Sequence, residues 1–187
     1  MQFFPAFMKL EKQKILIVGG GKIALEKLEK MLDFTSEITI VAKDVSDAML
    51  HVIEQNRLTF LHKGYQKGDL SGFFMVIAAV DDMELQKRIF LDSREYNCLC
   101  NAVDLLECCD FIFPSYIKEG DLTVAISTSG TSPAFAKHFK RFVAKAIPDD
   151  IAQFLQKMGK LRESIPKGKE RMQLLDEKVQ KYIESWR

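Results

Sequence analysis

An almost wholly apolar run, Lys14-Ile15-Leu16-Ile17-Val18, passes directly into Gly19-Gly20-Gly21 and from there into a segment of helical period. So short and so apolar a run reads as a strand covered on both faces, because a strand with one wet face would alternate. From Ile23 the spacing changes: Ala24, Leu28, Met31 and Leu32 share one side of a helix, with Glu26, Lys27, Glu29 and Lys30 largely opposite. Ile38-Thr39-Ile40-Val41 supplies a second strand about twenty residues after the glycines, which completes a βαβ unit. The architecture that follows is α/β, a parallel sheet flanked by helices.

The alternation continues along the chain. The pattern predicts a helix over 47–55, strands over 58–61 and 73–78, and a helix running to about Tyr96 with Asp81 and Asp82 as candidate caps. Further short strands are expected over 99–101, 111–113 and 122–126. Beyond Pro148 the composition shifts to charged helix formers, interrupted at Ile165-Pro166-Lys167-Gly168. Two amphipathic helices are predicted there. One presents Ile151, Phe154, Leu155, Met158 and Leu161, and the other Met172, Leu175, Val179, Tyr182 and Ile183. Such faces serve equally to pack within the chain, to cover a cleft or to meet a partner subunit. A domain boundary is expected near residue 115 or 148.

The 187 residues carry 27 Lys+Arg against 26 Asp+Glu, so no global field recruits nucleic acid or membrane, and any anion site must be local. The opening Met1-Gln2-Phe3-Phe4-Pro5-Ala6-Phe7 has no basic start, and no segment approaches the ~18 apolar residues of a membrane span. A cytoplasmic protein is expected. The four cysteines, Cys98, Cys100, Cys108 and Cys109, crowd into one stretch and are expected to be reduced thiols, not a disulfide framework. Their spacing does not match the paired knuckles of structural zinc sites. Cys98 and Cys100 fit one face of a strand, so burial is expected and a metal site is not.

Gly19-Gly20-Gly21-Lys22-Ile23-Ala24 matches G-x-G-x-x-[GA], with Gly19 and Gly21 in the glycine positions and Ala24 in the third. Between an apolar strand and a helix, such a loop brings backbone N–H groups and a helix dipole to a pyrophosphate. Gly19 permits the tight turn, Gly21 the approach of the phosphates, and Ala24 a close helix–strand contact. At the end of the second strand, Lys43-Asp44 offers a carboxylate to the ribose hydroxyls, whereas Lys43 tolerates a 2′-phosphate. NAD is favoured over NADP.

Four further segments sharpen the reading: Phe4-Pro5-Ala6-Phe7-Met8-Lys9-Leu10, Asn101-Ala102-Val103-Asp104, Phe111-Ile112-Phe113-Pro114-Ser115, and Ala125-Ile126-Ser127-Thr128-Ser129-Gly130-Thr131-Ser132-Pro133. With the glycine loop, and in this order, they resemble the precorrin-2 dehydrogenase/sirohydrochlorin ferrochelatase family, the N-terminal module of siroheme synthases. The resemblance covers roughly residues 1–145. It implies a Rossmann-type parallel sheet over residues 1–114, a smaller dimerisation and substrate-cleft segment over 115–147, and a helical C-terminal region over 148–187. It further implies a homodimer, NAD contacts at Lys22, Ile23, Lys43 and Asp44, and a catalytic aspartate at Asp104. Some members fuse the module to a uroporphyrinogen methyltransferase, for which this chain is too short. Thr128 stands where relatives often carry Ser or Gly, and Leu105 where an acid is common.

The activity so implied is oxidation of precorrin-2, a polycarboxylate tetrapyrrole, to sirohydrochlorin. It requires a hydride acceptor, a proton acceptor and anion sites. Asp104 follows a short apolar strand, where a carboxylate is expected to be part-desolvated and raised towards a useful base. Without the family, Asp104 reads as a turn or cap residue. Ser127, Thr128 and Ser132, with Ser132 as N-cap and Pro133 as first helical residue, offer hydroxyls and N–H groups to substrate carboxylates. Lys137, His138, Lys140 and Arg141 add local positive charge, and a capped helix with a solvated basic face accounts for the same residues. Two other readings stay open: a bifunctional enzyme that also inserts iron, and a non-catalytic NAD-sensing module. A sensor would need neither Asp104 nor the 127–133 segment.

Overall fold

A computed structural model describes residues 3–186. Met1, Gln2 and Arg187, which belong to the first and last segments anticipated above, lie outside the described residues. The described chain separates into two units, Phe3–Ile112 and the part beginning at Phe113.

In the first unit, five strands form one parallel sheet: β1 (Ile15–Val18), β2 (Ile38–Ala42), β3 (Thr59–His62), β4 (Met75–Ala78) and β5 (Leu99–Ala102), in the order β3-β2-β1-β4-β5. All four pairings are parallel. β1 and β4 are buried along their whole length, as unalternating sequence requires, whereas the edge strand β3 is largely exposed. Three helices connect the strands: α1 (Lys22–Leu32), α2 (Asp47–Gln55) and α3 (Met83–Glu95). α1 buries Ala24, Leu28 and Met31, the stripe its spacing foretells. Asp82 alone of the two candidate aspartates caps α3, accepting from the Leu85 N–H at 3.0 Å. The core on one face gathers Leu16, Val18, Val41, Leu70, Val76, Ala78 and Ile89 with Cys98 and Cys100.

Cys98 and Cys100 therefore pack on one face as expected, and burial pushes their thiols up to about 11 and about 12. Such thiols stay protonated at neutral pH and are poor nucleophiles and ligands. Among the described residues all four cysteines are free.

The strand expected over 111–113 is not formed. That stretch follows a strap in which Cys109 makes one isolated antiparallel bridge with Asn101. The Asp110 carboxylate accepts from the Cys100 N–H at 2.8 Å and pairs with the Arg94 guanidinium. Pro114 then has no backbone N–H to donate, so a ladder cannot continue through it.

The second unit opens with a hairpin that sequence reasoning half missed: β6 (Ser115–Glu119) pairs antiparallel with β7 (Leu122–Ile126). Gly120-Asp121 closes it as a two-residue turn, with Gly120 at φ 59, and that dipeptide between two β-rich runs was the available signal. Three helices follow: α4 (Pro133–Ala146), α5 (Ile151–Ser164) and α6 (Lys169–Glu184). Phe154 of α5 stacks on Tyr182 of α6 with ring centroids 3.7 Å apart, and the Tyr182 hydroxyl donates to Asp150 at 2.7 Å. Of the apolar stripe foreseen on α6, Leu175 and Tyr182 are half-buried, while Met172, Val179 and Ile183 are exposed.

Candidate functional site

Val18, Ala78 and Ala102 stand side by side in register on β1, β4 and β5. The residues after them, Gly19, Ala79 and Val103, leave the sheet along one carboxyl edge. Strands spaced about 4.8 Å apart place Gly19 and the turn at Val103 about 10 Å from each other on that edge. Strand order reverses between β1 and β4, and the crevice outside such a switch point is where open α/β sheets take ligands.

Each glycine of the loop has a different task. Gly19 has φ 125, and a Cβ on it would stand 2.1 Å from the Ala79 carbonyl oxygen. A Cβ on Gly20 would stand 1.9 Å from the Asp44 carbonyl oxygen, and the Gly20 carbonyl accepts from the Ser46 N–H at 3.0 Å. These two glycines seat the turn against the ends of β4 and β2. Gly21 is unlike them, because its φ of −84 is ordinary and a Cβ there would meet nothing within 4 Å. It occupies the N-cap of α1 with no side-chain cap, and the first turn holds no acidic residue. The leading amides of a helix have no acceptor within the helix, so the positive end of α1 opens on free space.

Sequence reasoning gave Gly20 no role, although three consecutive glycines where the pattern demands two were a signal. It also missed Gln86 on α3. This side chain is 2% exposed, and its Nε2 donates to the Val80 carbonyl at 2.7 Å, fixing the loop after β4 beside Gly19. A glutamine among the apolar positions of α3 was the hint.

Lys22 and Ile23 form the exposed first turn of α1. Lys43 and Asp44 follow β2 at the same sheet edge, both exposed, and the Asp44 backbone is held against Gly20. The backbone thus brings Gly19, Gly21, Lys22, Ile23, Lys43 and Asp44 together. The residues present suit a nicotinamide dinucleotide: an uncapped helix start, a glycine with room beside it, and a carboxylate at the end of the second strand.

Asp104 lies in the turn that follows β5, with φ 70. The desolvation expected for it is not seen, since Asp104 is exposed in this chain. The reason is local: the turn projects past the sheet edge and buries Leu105 instead, which packs with Ala102 and Cys108. Half-buried Lys27 of α1 has its pKa lowered, chiefly by burial and then by Lys30, while Asp104 is among the charges acting in the opposite sense. Asp104 is therefore within electrostatic reach of the helix that starts at the glycine loop.

In the second unit, Ser132 caps α4 as expected, its Oγ accepting from the Phe135 N–H at 3.2 Å. Thr128 Oγ1 accepts from the Ser132 N–H at 3.0 Å and Ser127 Oγ from the Ser129 N–H at 3.0 Å. The three hydroxyl oxygens are engaged as acceptors, and a hydroxyl that accepts retains an O–H with which it can donate. Lys137 and Arg141, four residues apart on α4, share one exposed face. Phe135, Phe139 and Phe142 form a second exposed stripe on the same helix, their rings stacked in sequence.

Two family models match the chain. One, described as putative NAD(P)-binding, covers residues 6–115, and the other, the central part of sirohaem biosynthesis proteins, covers 119–146. The siroheme synthase of Pseudoalteromonas translucida is 32% identical over 165 residues, which are 88% of this chain and 35% of that protein. Siroheme synthase 1 of Serratia proteamaculans is 32% identical over 178 residues, 95% of this chain and 37% of that protein. The chain thus spans about a third of the length of the curated relatives it matches. Among solved structures, the precorrin-2 dehydrogenase SirC superposes with a TM-score of 0.77 at 24% identity, covering 94% of this chain and 88% of that one. Among the described residues no helix is long and apolar enough to cross a membrane.

Proposed function

The chain belongs to the putative NAD(P)-binding family, and from that premise we propose that it oxidises precorrin-2 to sirohydrochlorin in siroheme biosynthesis, with NAD as the hydride acceptor. The observation that carries the reading is the open, uncapped start of α1 at Gly21, on the same sheet edge as Asp104. The siroheme synthase relatives and the sirohaem match over 119–146 supply the substrate class.

The leading amides of α1, at Lys22 and Ile23, would hold the pyrophosphate, with Gly19 and Gly21 leaving it room. Asp44 accepts from the ribose hydroxyls, which favours NAD, and Lys43 lies beside it. What a bound dinucleotide would supply here is the hydride acceptor. Asp104 takes the accompanying proton on a carboxylate oxygen, and its position about two strand spacings from Gly19 suits a group acting near the far end of the dinucleotide. Ser127, Thr128 and Ser132 donate hydroxyl protons to substrate carboxylates, and Lys137 and Arg141 offset their charge.

The division of labour follows: residues 1–114 bind the cofactor, 115–147 supply the substrate contacts and the dimer surface, and 148–187 form the helical region. The protein works as a cytoplasmic homodimer, with the phenylalanine stripe of α4 against a second copy. The test is to mix the purified chain with precorrin-2 and NAD. Appearance of NADH together with the sirohydrochlorin spectrum supports the assignment, and neither signal appearing refutes it.

A further inference from the structure

Asp104 adopts a left-handed backbone, which costs a non-glycine residue about 1–2 kcal/mol and must be held in place by its surroundings. The restraints around it are specific. The Val103 N–H donates to the Ala78 carbonyl at 3.0 Å, tying the start of the turn to β4, and the Leu105 N–H donates to Ala102 at 3.2 Å. Two carbonyls flank the turn, those of Ala102 and Leu105, and the Cys109 thiol lies 3.2 Å from the first and 3.3 Å from the second. A single S–H placed between two carbonyls spans the turn from end to end. The Cys109 sulfur in turn accepts from Asn101 Nδ2 at 3.5 Å, and the same amide donates to the Phe111 carbonyl at 2.9 Å. Asn101 is 6% exposed, so a buried carboxamide joins the last strand before the turn to the strap that returns beside it. Burial pushes the Cys109 thiol up, which keeps it protonated and able to donate.

We infer that Cys109 and Asn101 are positioning residues for Asp104, a hydrogen-bonded brace that fixes the turn in the conformation from which the carboxylate reaches the substrate. The inference rests on the reading of Asp104 as the proton acceptor. Neither residue touches substrate or cofactor; both act through the turn. Leu105, which follows Asp104, packs with Ala102 and Cys108 and so anchors the same turn through apolar contact.

The test compares Cys109→Ala, Cys109→Ser and Asp104→Asn in the full chain, measuring kcat, KM for precorrin-2, NAD affinity and melting temperature. A misplaced catalytic group costs up to about 100-fold in rate. Cys109→Ala should lose about 10-fold or more in kcat, with NAD affinity unchanged. Cys109→Ser, whose hydroxyl donates to the same carbonyls, should recover most of it. In the Asp104→Asn background Cys109→Ala should have no further effect on kcat, because the brace then holds nothing of use. Normal kcat in Cys109→Ala, or a serine variant no better than alanine at equal melting temperature, would overturn the brace while leaving Asp104 as the base. Near-normal turnover in Asp104→Asn would overturn the base assignment itself, and the brace with it.

Discussion

The carbonyl oxygen of Ala79 sits 2.1 Å from where a Cβ on Gly19 would be, so the end of β4 and the glycine turn after β1 fit together only without a side chain. Gly20 stands in the same relation to Asp44. Gly19→Ala and Gly20→Ala should therefore each destabilise the fold, by at least about 2 kcal/mol, since the obstructing atoms are backbone. Gly21→Val should leave the melting temperature nearly unchanged and abolish dinucleotide binding, because its side chain would enter the free space at the start of α1. Thermal melts paired with a cofactor titration read both effects. Unchanged NAD binding in Gly21→Val would remove the phosphates from this loop.

The ribose contact proposed for Asp44 would decide between the two nicotinamide dinucleotides. Losing hydrogen bonds to a charged acceptor costs about 1.5–3 kcal/mol. Asp44→Ala should accordingly weaken NAD by roughly 10- to 100-fold while NADP, with Lys43 beside its 2′-phosphate, holds or gains affinity. The ratio of the two dissociation constants is the measurement. No change in that ratio would place the ribose elsewhere.

Asp104→Asn keeps the size of the side chain and removes its basicity. Turnover should fall by about 10²–10⁴, with NAD affinity intact. Steady-state kinetics beside a direct binding titration separates the two quantities.

Lys137 and Arg141 should act on substrate alone. Replacing both by Met should raise KM for precorrin-2 by roughly 3- to 10-fold, leave NAD affinity unchanged, and flatten the salt dependence of KM because fewer charge contacts remain to be screened. A loss of NAD affinity with KM for the tetrapyrrole unaltered would assign this face of α4 to the cofactor.

Phe142 is 70% exposed at the end of a stacked row with Phe139 and Phe135. Contiguous exposed apolar stripes of that kind mark contact surfaces. Phe142→Glu should convert a dimer to a monomer in sedimentation experiments at low micromolar concentration without unfolding the chain. A monomeric parent protein would rule out the second copy as the occupant.

Much of this molecule was settled by local sequence. The unbroken apolar runs of β1 and β4, the stripe of Ala24, Leu28 and Met31, and the caps Asp82 and Ser132 each act through neighbours within a few residues, where side-chain chemistry and backbone period are sufficient. The glycine motif was legible for the same reason, and with it the family. Tertiary structure decided the rest. That Gly20 must lack a side chain depends on Asp44, two dozen residues away in sequence and brought close only by the β1–β2 pairing. That 111–113 is a connector depends on Asp110 finding Arg94 and the Cys100 amide, and on Asn101 capturing the Phe111 carbonyl. The exposure of Asp104 and the burial of Leu105 follow from which way a left-handed turn points beyond a sheet edge, and the brace of Cys109 across that turn exists only once the strap has folded back on β5. Sequence period specifies which face of an element is apolar; only the packed chain specifies which polar atoms, distant in sequence, must satisfy one another when water is excluded.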